Sequence, residues 1–400
     1  MEGKRFIHKL RLENFLSYGS DGEEIELQPL NVLIGPNTSG KSNLIEAIGI
    51  LKATPTDLPA PFRQGGGVGE FLWKGTEGTP VVKLQAIVDY PQGLQPLRYK
   101  LNFTVYSQRF EIVDEVIENE YPIQGENEAA FYYRFDDDGH PVFRVREQGA
   151  WAGIYNEFWT TESPRINQSI LSQVQEARIY PEITYIRNQF TNIALYRDFP
   201  MGRHGKLRDM QKADLPEHPL LEDGSNLGLF LNNLQYKIGN RKIIDTLKKF
   251  YDAAEEISVR IYGGTVQIFI REEGLIQPIP VSRLSDGTLH YLFLIALLLD
   301  PTPPPLICIE EPEIGLHPDI LSTVAEMLIE ASQRTQLIIT THSDALISAL
   351  SEYPESVLVC ERDDKGSHLR RLEPNKMKSW LENYTLGDMW RMGEIGGNRW

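Results

Sequence analysis

The sequence predicts an α/β fold, and three observations carry that expectation. Short apolar strands alternate with amphipathic helices near both ends of the chain, over residues 1–53 and again after Leu284. The strand at Asn31–Ile34 meets its helix through a glycine-bearing loop, Gly35 to Gly40. Between them, residues 81–145 show period-two alternation broken by turns, the pattern of antiparallel strands. The expected architecture is a mixed sheet around the helix after Gly40, an antiparallel β lobe near 81–145 and a helical lobe between roughly 151 and 255. As domains, this reads 1–150, 151–256 and 257–400.

Each element follows from local pattern. Phe6 to Glu13 alternates apolar and polar side chains, and Ile25–Leu27 is a plausible partner strand. From Ser42 to Ala53, Leu44, Ile45, Ala47, Ile48 and Leu51 recur at helical spacing. Residues 54–80 hold Pro55, Pro59, Pro61 and Gly65-Gly66-Gly67, which predicts a mobile loop. Asp136-Asp137-Asp138-Gly139 reads as a hairpin turn. Residues 151–255 read as mostly helical and loop-like, with 197–219 irregular. Strands return at Ile257–Ile261 and Val266–Ile270 around Tyr262-Gly263-Gly264-Thr265. The remainder alternates helix (Gly287–Leu299), strand (Leu306–Ile309), helix (Ile320–Ser332) and strand (Leu337–Thr340), then a last strand at Val357–Val359.

Composition excludes several classes. With 400 residues and 41% hydrophobic content, the chain can bury a sizeable core, which rules out a disordered or collagen-like protein. The longest apolar run, Tyr291 to Leu299, falls far short of the ~20 residues a membrane span needs. Met1-Glu2-Gly3-Lys4-Arg5 has no apolar signal core, so the expected compartment is the cytoplasm. The only cysteines, Cys308 and Cys360, lie in apolar strand-like stretches and suit buried reduced thiols. A net charge of −16 argues against general coating of nucleic acid. Two basic clusters, Lys237–Lys249 and Arg197–Lys212, stay open to two readings: a solvated helix face and loop, or a patch facing DNA or a partner.

Gly35-Pro36-Asn37-Thr38-Ser39-Gly40-Lys41-Ser42 satisfies the pattern G-x-x-x-x-G-K-[ST], with an apolar strand before it and an amphipathic helix after it. The chemistry needs those types. Glycines let backbone N–H groups curl around a β-phosphate, and the helix N-terminus adds its dipole. Lys41 is expected to reach β- and γ-phosphate oxygens, and Ser42 to offer a hydroxyl to Mg²⁺. Leu306-Ile307-Cys308-Ile309-Glu310-Glu311 is an apolar strand ending in two acids. After a phosphate loop, Glu310 is expected to hold Mg²⁺ through water and Glu311 to polarise the attacking water; the plainer alternative is a solvated strand end.

Leu284-Ser285-Asp286-Gly287-Thr288 opens an apolar helix upstream of that strand, where Ser285 and the Gly287 amide can hold a phosphate or merely cap the helix. His342, in Thr341-His342-Ser343 after the strand Leu337–Thr340, is placed to sense a γ-phosphate or to be an ordinary buried histidine. Taken in this order and spacing, the chain resembles an ABC-type ATPase head of the SMC/RecF/OLD group, among AAA-family ATPases of the RecF-like kind. The resemblance runs along the whole chain and includes Leu12-Glu13-Asn14-Phe15, Tyr196-Arg197-Asp198-Phe199, Glu222 to Leu227, Glu311-Pro312-Glu313-Ile314-Gly315-Leu316-His317-Pro318 at the D-loop position, and Gly393 to Trp400.

The resemblance implies a P-loop NTPase fold and Mg²⁺-dependent ATP hydrolysis by a head-to-tail homodimer. In such a dimer Ser285 and Gly287 serve the other subunit's nucleotide. Glu310 departs from the family's usual Asp by one methylene. Gln173, in Ser169-Ile170-Leu171-Ser172-Gln173, is similar to the family's Q-loop glutamine, or is simply a glutamine on a helix surface. No coiled-coil arm separates Lys41 from Ser285, and about 58 residues after His342 leave no room for a fused Toprim nuclease. The family role expected is a switch in a DNA-linked system, in defence against phage or plasmid, with a separate effector or nuclease. A RecF-like repair ATPase and a scaffold restraining a toxic partner are the rival expectations. At the C-terminus, Leu386, Met389 and Trp390 share a helix face with Ile395 just beyond, so the tail either folds back on the core or docks a companion.

Overall fold

A computed structural model describes residues 2–122, 125–147, 150–155, 167–199, 202 and 205–396. In chain order its elements begin with β1 (Ile7–Glu13), β2 (Glu23–Glu26), β3 (Leu30–Ile34), α1 (Lys41–Ala53), α2 (Pro59–Gln64), β4 (Val82–Val88), β5 (Leu97–Tyr106) and β6 (Arg109–Asn119). Next come β7 (Phe131–Phe135), β8 (Pro141–Glu147), β9 (Ala150–Tyr155), α3 (Ile170–Gln173), α4 (Pro181–Thr191), β10 (Ala194–Tyr196) and β11 (Gln211–Lys212). They continue with α5 (Leu227–Ile238), α6 (Asn240–Lys248), β12 (Ala254–Tyr262), β13 (Thr265–Glu272), β14 (Ile279–Pro280), α7 (Asp286–Leu298) and β15 (Leu306–Glu310). The chain closes with α8 (Leu321–Ser332), β16 (Gln336–Thr340), α9 (Asp344–Ala349), β17 (Val357–Asp363), β18 (Gly366–Arg371), α10 (Pro374–Leu381) and α11 (Leu386–Met392).

The central sheet has the order β10-β15-β16-β3-β17-β18, parallel throughout except for the antiparallel edge strand β18. Period-two geometry divides its side chains between two cores. Val32, Ile307, Ile309, Leu337, Ile339, Val357 and Val359 face α5–α9. Leu33, Leu306, Cys308, Ile338, Leu358 and Cys360 face α1, α4 and the second sheet. Burial on both faces explains why these strands read as unbroken apolar runs. Both cysteines are buried and free. The second sheet, β2-β1-β4-β5-β6-β7-β8-β9, is antiparallel, with the Asp136–Gly139 turn joining β7 to β8 as expected. No helix among the described residues is long and apolar enough to cross a membrane.

Two local expectations are corrected. Residues 54–80 are not a loose loop: Phe62, Val68, Phe71 and Leu72 are buried, and the Phe62 ring sits 4.9 Å from Phe71 and 5.1 Å from Phe103. Backbone bonds from Leu16 N–H to the Phe71 carbonyl and from Trp73 N–H to the Asn14 carbonyl hold the segment to the end of β1. Proline and glycine counts register the turns there, while the anchoring comes from large apolar residues. Within the stretch expected to be helical, Ala194–Tyr196 is a strand of the central sheet. Three residues are too few to display a period, so only pairing with β15 defines that strand.

Glu115 on β6 is fully buried and accepts hydrogen bonds from the Ser169 and Tyr99 hydroxyls and the Ile170 N–H. Burial pushes its carboxyl up to about 7, the three donors pulling the other way. The folded chain therefore keeps this proton over a range where the unfolded chain, near the ordinary value of 4.5, has lost it. Stability from this group falls as pH rises from about 4.5 to about 7. Glu115→Gln, neutral throughout, is expected to flatten that part of the Tm–pH curve; an unchanged slope would contradict the assignment.

The tail folds back over its described length. Leu386, Met389, Trp390 and Ile395 are buried in the core shared with α9. Thr385 and Asp388 form a capping box at the start of α11, and Arg370 Nη2 donates to the Ile395 carbonyl at 2.9 Å. Residues 397–400, with Trp400, lie outside the described residues. Trp390→Ala is expected to cost about 3–5 kcal/mol in urea unfolding; a loss below about 1 kcal/mol, the scale of a surface change, would contradict this packing.

Candidate active site

The strand β3 ends at Ile34, and the loop Gly35–Gly40 turns directly into α1. Gly40 has φ 105°, a left-handed conformation that glycine tolerates, and a Cβ there would stand 2.5 Å from Ser367 Oγ. Tyr18 donates its hydroxyl to the Gly40 carbonyl at 3.0 Å, and Asn43 Nδ2 donates to Ser17 Oγ at 2.7 Å, so the loop's base is braced from β18 and the β1–β2 turn. Lys41 is buried, and its ammonium donates to the carbonyls of Gly35 at 2.7 Å and Pro36 at 3.0 Å. Burial lowers its pKa from the ordinary lysine value, with Cys360 and Glu311 pulling upward. Asn37 and Thr38 are exposed at the loop's rim, while Ser39 Oγ is buried with no hydrogen-bond partner. A cation, an orphaned hydroxyl and a helix N-terminus at one loop fit a phosphate group.

The acids arrive by strand register. In the parallel pair β10–β15, Tyr196 stands opposite Ile309, which brings Arg197 beside Glu310. Ser42 donates its hydroxyl to Glu310 Oε2 at 2.9 Å, so two hard oxygen donors from opposite elements meet at the loop, the donor class that Mg²⁺ takes. Arg197 Nε lies 3.5 Å from Glu310 Oε1, and its Nη1 donates to Glu46 Oε1 at 2.6 Å. Burial raises the Glu310 pKa; the Ser42 hydroxyl and Arg197 oppose it. Glu311 sits at φ 48° with its N–H on the Thr340 carbonyl, a strained turn that carries its side chain off the strand line. Its Oε1 is 3.7 Å from His342 Nε2. Burial, then Lys41, lowers the His342 pKa, while Glu311 and Glu313 raise it. Lys41, Ser42, Glu310, Glu311 and His342, drawn from segments nearly 300 residues apart, thus form one centre.

The remaining expected residues lie elsewhere. Ser285 caps α7 by accepting from the Thr288 N–H, and Arg208 fixes this loop by donating to the Leu284 carbonyl at 2.6 Å and pairing with Asp286 at 2.5 Å. Among the described residues no hydrogen bond or ion pair joins Ser285 or Gly287 to Lys41 or Ser42. Gln173 is not brought to the phosphate loop. Its amide donates to the carbonyls of Gln168 and Ser169, and it lines a cavity of about 250 Å³ with Phe143, Glu176 and Tyr180. The Tyr99–Ser169 pair beneath it lies against Thr54, at the far end of α1, about 20 Å from Lys41 along thirteen helical residues. Similar sequence there marked a short helix turn, not a phosphate contact.

The basic clusters are largely paired with acids. Lys242 and Lys249 bond Glu330 and Glu326 of α8 at 2.8 and 3.0 Å, Arg241 pairs with Asp245, and Lys206 with Asp223. Arg203 and His204 lie outside the described residues. Sequence reasoning gave no roles to Arg197, Arg208 and Glu46. Arg197 and Arg208 stood out only as members of the basic cluster Arg197–Lys212, Arg197 also in the Tyr196–Phe199 stretch, and nothing local pointed to Glu46.

A mostly parallel sheet with its phosphate loop at the C-terminal end of β3, acids at the end of β15 and a histidine after β16 has the fold of the P-loop ATPase heads. The chain belongs to the family described as "AAA domain, putative AbiEii toxin, Type IV TA system", whose model matches residues 30–348. Among solved structures it is similar to an SMC head bound to the C-terminal winged-helix domain of ScpA, at 15% identity and TM-score 0.55, covering 94% of this chain and 100% of that one. It is also similar to the Smc head with an extended coiled coil bound to the C-terminal domain of ScpA from Pyrococcus furiosus, at 13% identity and TM-score 0.52, covering 94% and 98%. At such identities the likeness shows the fold. No curated protein matches the sequence.

Proposed function

We propose that this chain hydrolyses ATP with Mg²⁺ at the centre around Lys41, as a dimer whose two sites are each completed by the other copy's Ser285 and Gly287. The observation that carries the reading is the Ser42–Glu310 hydrogen bond with the Glu311–His342 pair beside it. Lys41 leaves its loop carbonyls to neutralise phosphate oxygens, and the amides from Gly35 to Ser42, with Pro36, Asn37, Thr38 and Ser39 shaping the turn, cradle them. Ser42 and Glu310 would hold Mg²⁺, Glu310 through water, and the ion would supply charge neutralisation at the phosphates. Glu311 takes the proton of the attacking water, and His342 reads the γ-phosphate. The role proposed is a switch in anti-phage or anti-plasmid defence with a separate effector, which the resemblance implies; the family's description, naming a "putative AbiEii toxin, Type IV TA system", supports only the link to toxin–antitoxin systems. The pairing of Lys242, Lys249 and Arg241 with acids favours that role over a DNA-coating repair loader.

A mixing experiment tests the composite site. Lys41→Ala and Ser285→Arg chains should each be inactive alone. Mixed, they should regain turnover, because one site of the heterodimer then carries both lesions and the other none. A mixture that stays inactive although the two chains associate with each other in MgATP would count against the arrangement.

A further inference from the structure

We propose that Glu313 is a positioning residue for turnover, clamping the loop that carries His342 onto the loop that carries Glu311. The inference rests on the reading of Glu311 and His342 given above. Glu313 Oε1 accepts two hydrogen bonds from the neighbouring loop, from Thr341 Oγ1 at 2.6 Å and from the His342 N–H at 2.7 Å. Thr341 Oγ1 in turn accepts from the Ser343 N–H at 3.0 Å, and Ser343 caps α9, so one carboxylate fixes the whole turn from β16 into α9. Glu313 follows Glu311 by two residues, and the rigid Pro312 lies between them.

The segment that bears Glu313 is itself anchored on the other side. His290 of α7, fully buried, meets the Ile314 carbonyl through Nδ1 at 2.7 Å. A carbonyl only accepts, so the ring proton sits on Nδ1. A Cβ on Gly287 would stand 2.6 Å from the Gly315 carbonyl, so the turn after Glu313 lies directly against the start of α7. Glu313 therefore ties the segment that packs against α7 to the loop that carries His342. Its second oxygen is buried with no hydrogen-bond partner. That oxygen would favour a freer geometry, and the two short bonds to Oε1 hold the group where it is. A displacement of about 1 Å in a positioned group costs on the order of 10²-fold in rate.

The test uses the full chain. Glu313→Ala should lower kcat about 10²-fold while leaving KM for ATP and the binding of a fluorescent ATP analogue unchanged. Against a His342→Ala background the same change should cost nothing further, since its effect passes through His342. Glu313→Gln keeps the chain length and the Oε1 acceptor and should restore most of the rate. Glu313→Asp, one methylene short, should not. This second pair decides the matter if the alanine variant fails to fold. Unchanged kcat, losses that add to those of His342→Ala, or rescue by Asp and not Gln would each overturn the positioning role. If Glu311→Gln and His342→Ala themselves turn over at the wild-type rate, the reading of the site fails first. If they are slow and the Glu313 variants are not, only this inference fails.

Discussion

Glu311→Gln is expected to bind MgATP as the unaltered chain does and to hydrolyse it about 10²–10⁴-fold more slowly, the usual contribution of a positioned general base. The substitution keeps the size of the side chain and its place 3.7 Å from His342, and removes only the capacity to take a proton. Its backbone remains at φ 48°, which glutamine tolerates no worse than glutamate, so a fall in Tm is not expected to accompany the loss. Single-turnover measurement separates the two steps: formation of the complex should keep its rate while phosphate release slows. Wild-type turnover would remove Glu311 from the chemistry.

Lys41→Ala should abolish nucleotide binding, the larger effect at equilibrium. The ammonium is buried at the mouth of the loop and bonds only carbonyl oxygens of Gly35 and Pro36 among the contacts described. Those neutral acceptors yield readily to phosphate oxygens, whose full negative charge attracts the ammonium more strongly at a partly buried site. With alanine the carbonyls remain, pointing at the space where negative oxygens would come. Equilibrium binding of a fluorescent ATP analogue checks this; retained micromolar binding would contradict the cradle.

The phosphate loop was legible because all its parts are contiguous: a buried strand, a glycine turn and a helix carry their own signals within Leu30–Ala53. The strand at Leu306–Glu310 was legible because burial on both faces leaves an unbroken apolar run ending abruptly in acids. What a linear reading does not reach is register. Arg197 meets Glu310 only because Tyr196 pairs with Ile309, and Glu313 meets Thr341 only because β15 and β16 run parallel with Glu310 opposite Thr340. Gln173 fails for the converse reason: a matching short segment says what its own helix turn is, and its distance from Lys41 is decided by the stacking of β5, β6 and α3 around the end of α1. The Pro- and Gly-rich stretch at 54–80 shows the same limit, since its turns are local and the burial of Phe62 against Phe103 is not.

The central claim is that one chain holds half of each ATP site and a second copy supplies Ser285 and Gly287. Light scattering on Glu311→Gln tests it most directly, because a chain that binds ATP without hydrolysing it should accumulate in the closed form. The account predicts a mass near that of one chain without nucleotide and near twice that with MgATP, reversed by Ser285→Arg. A monomeric mass at saturating MgATP would contradict it.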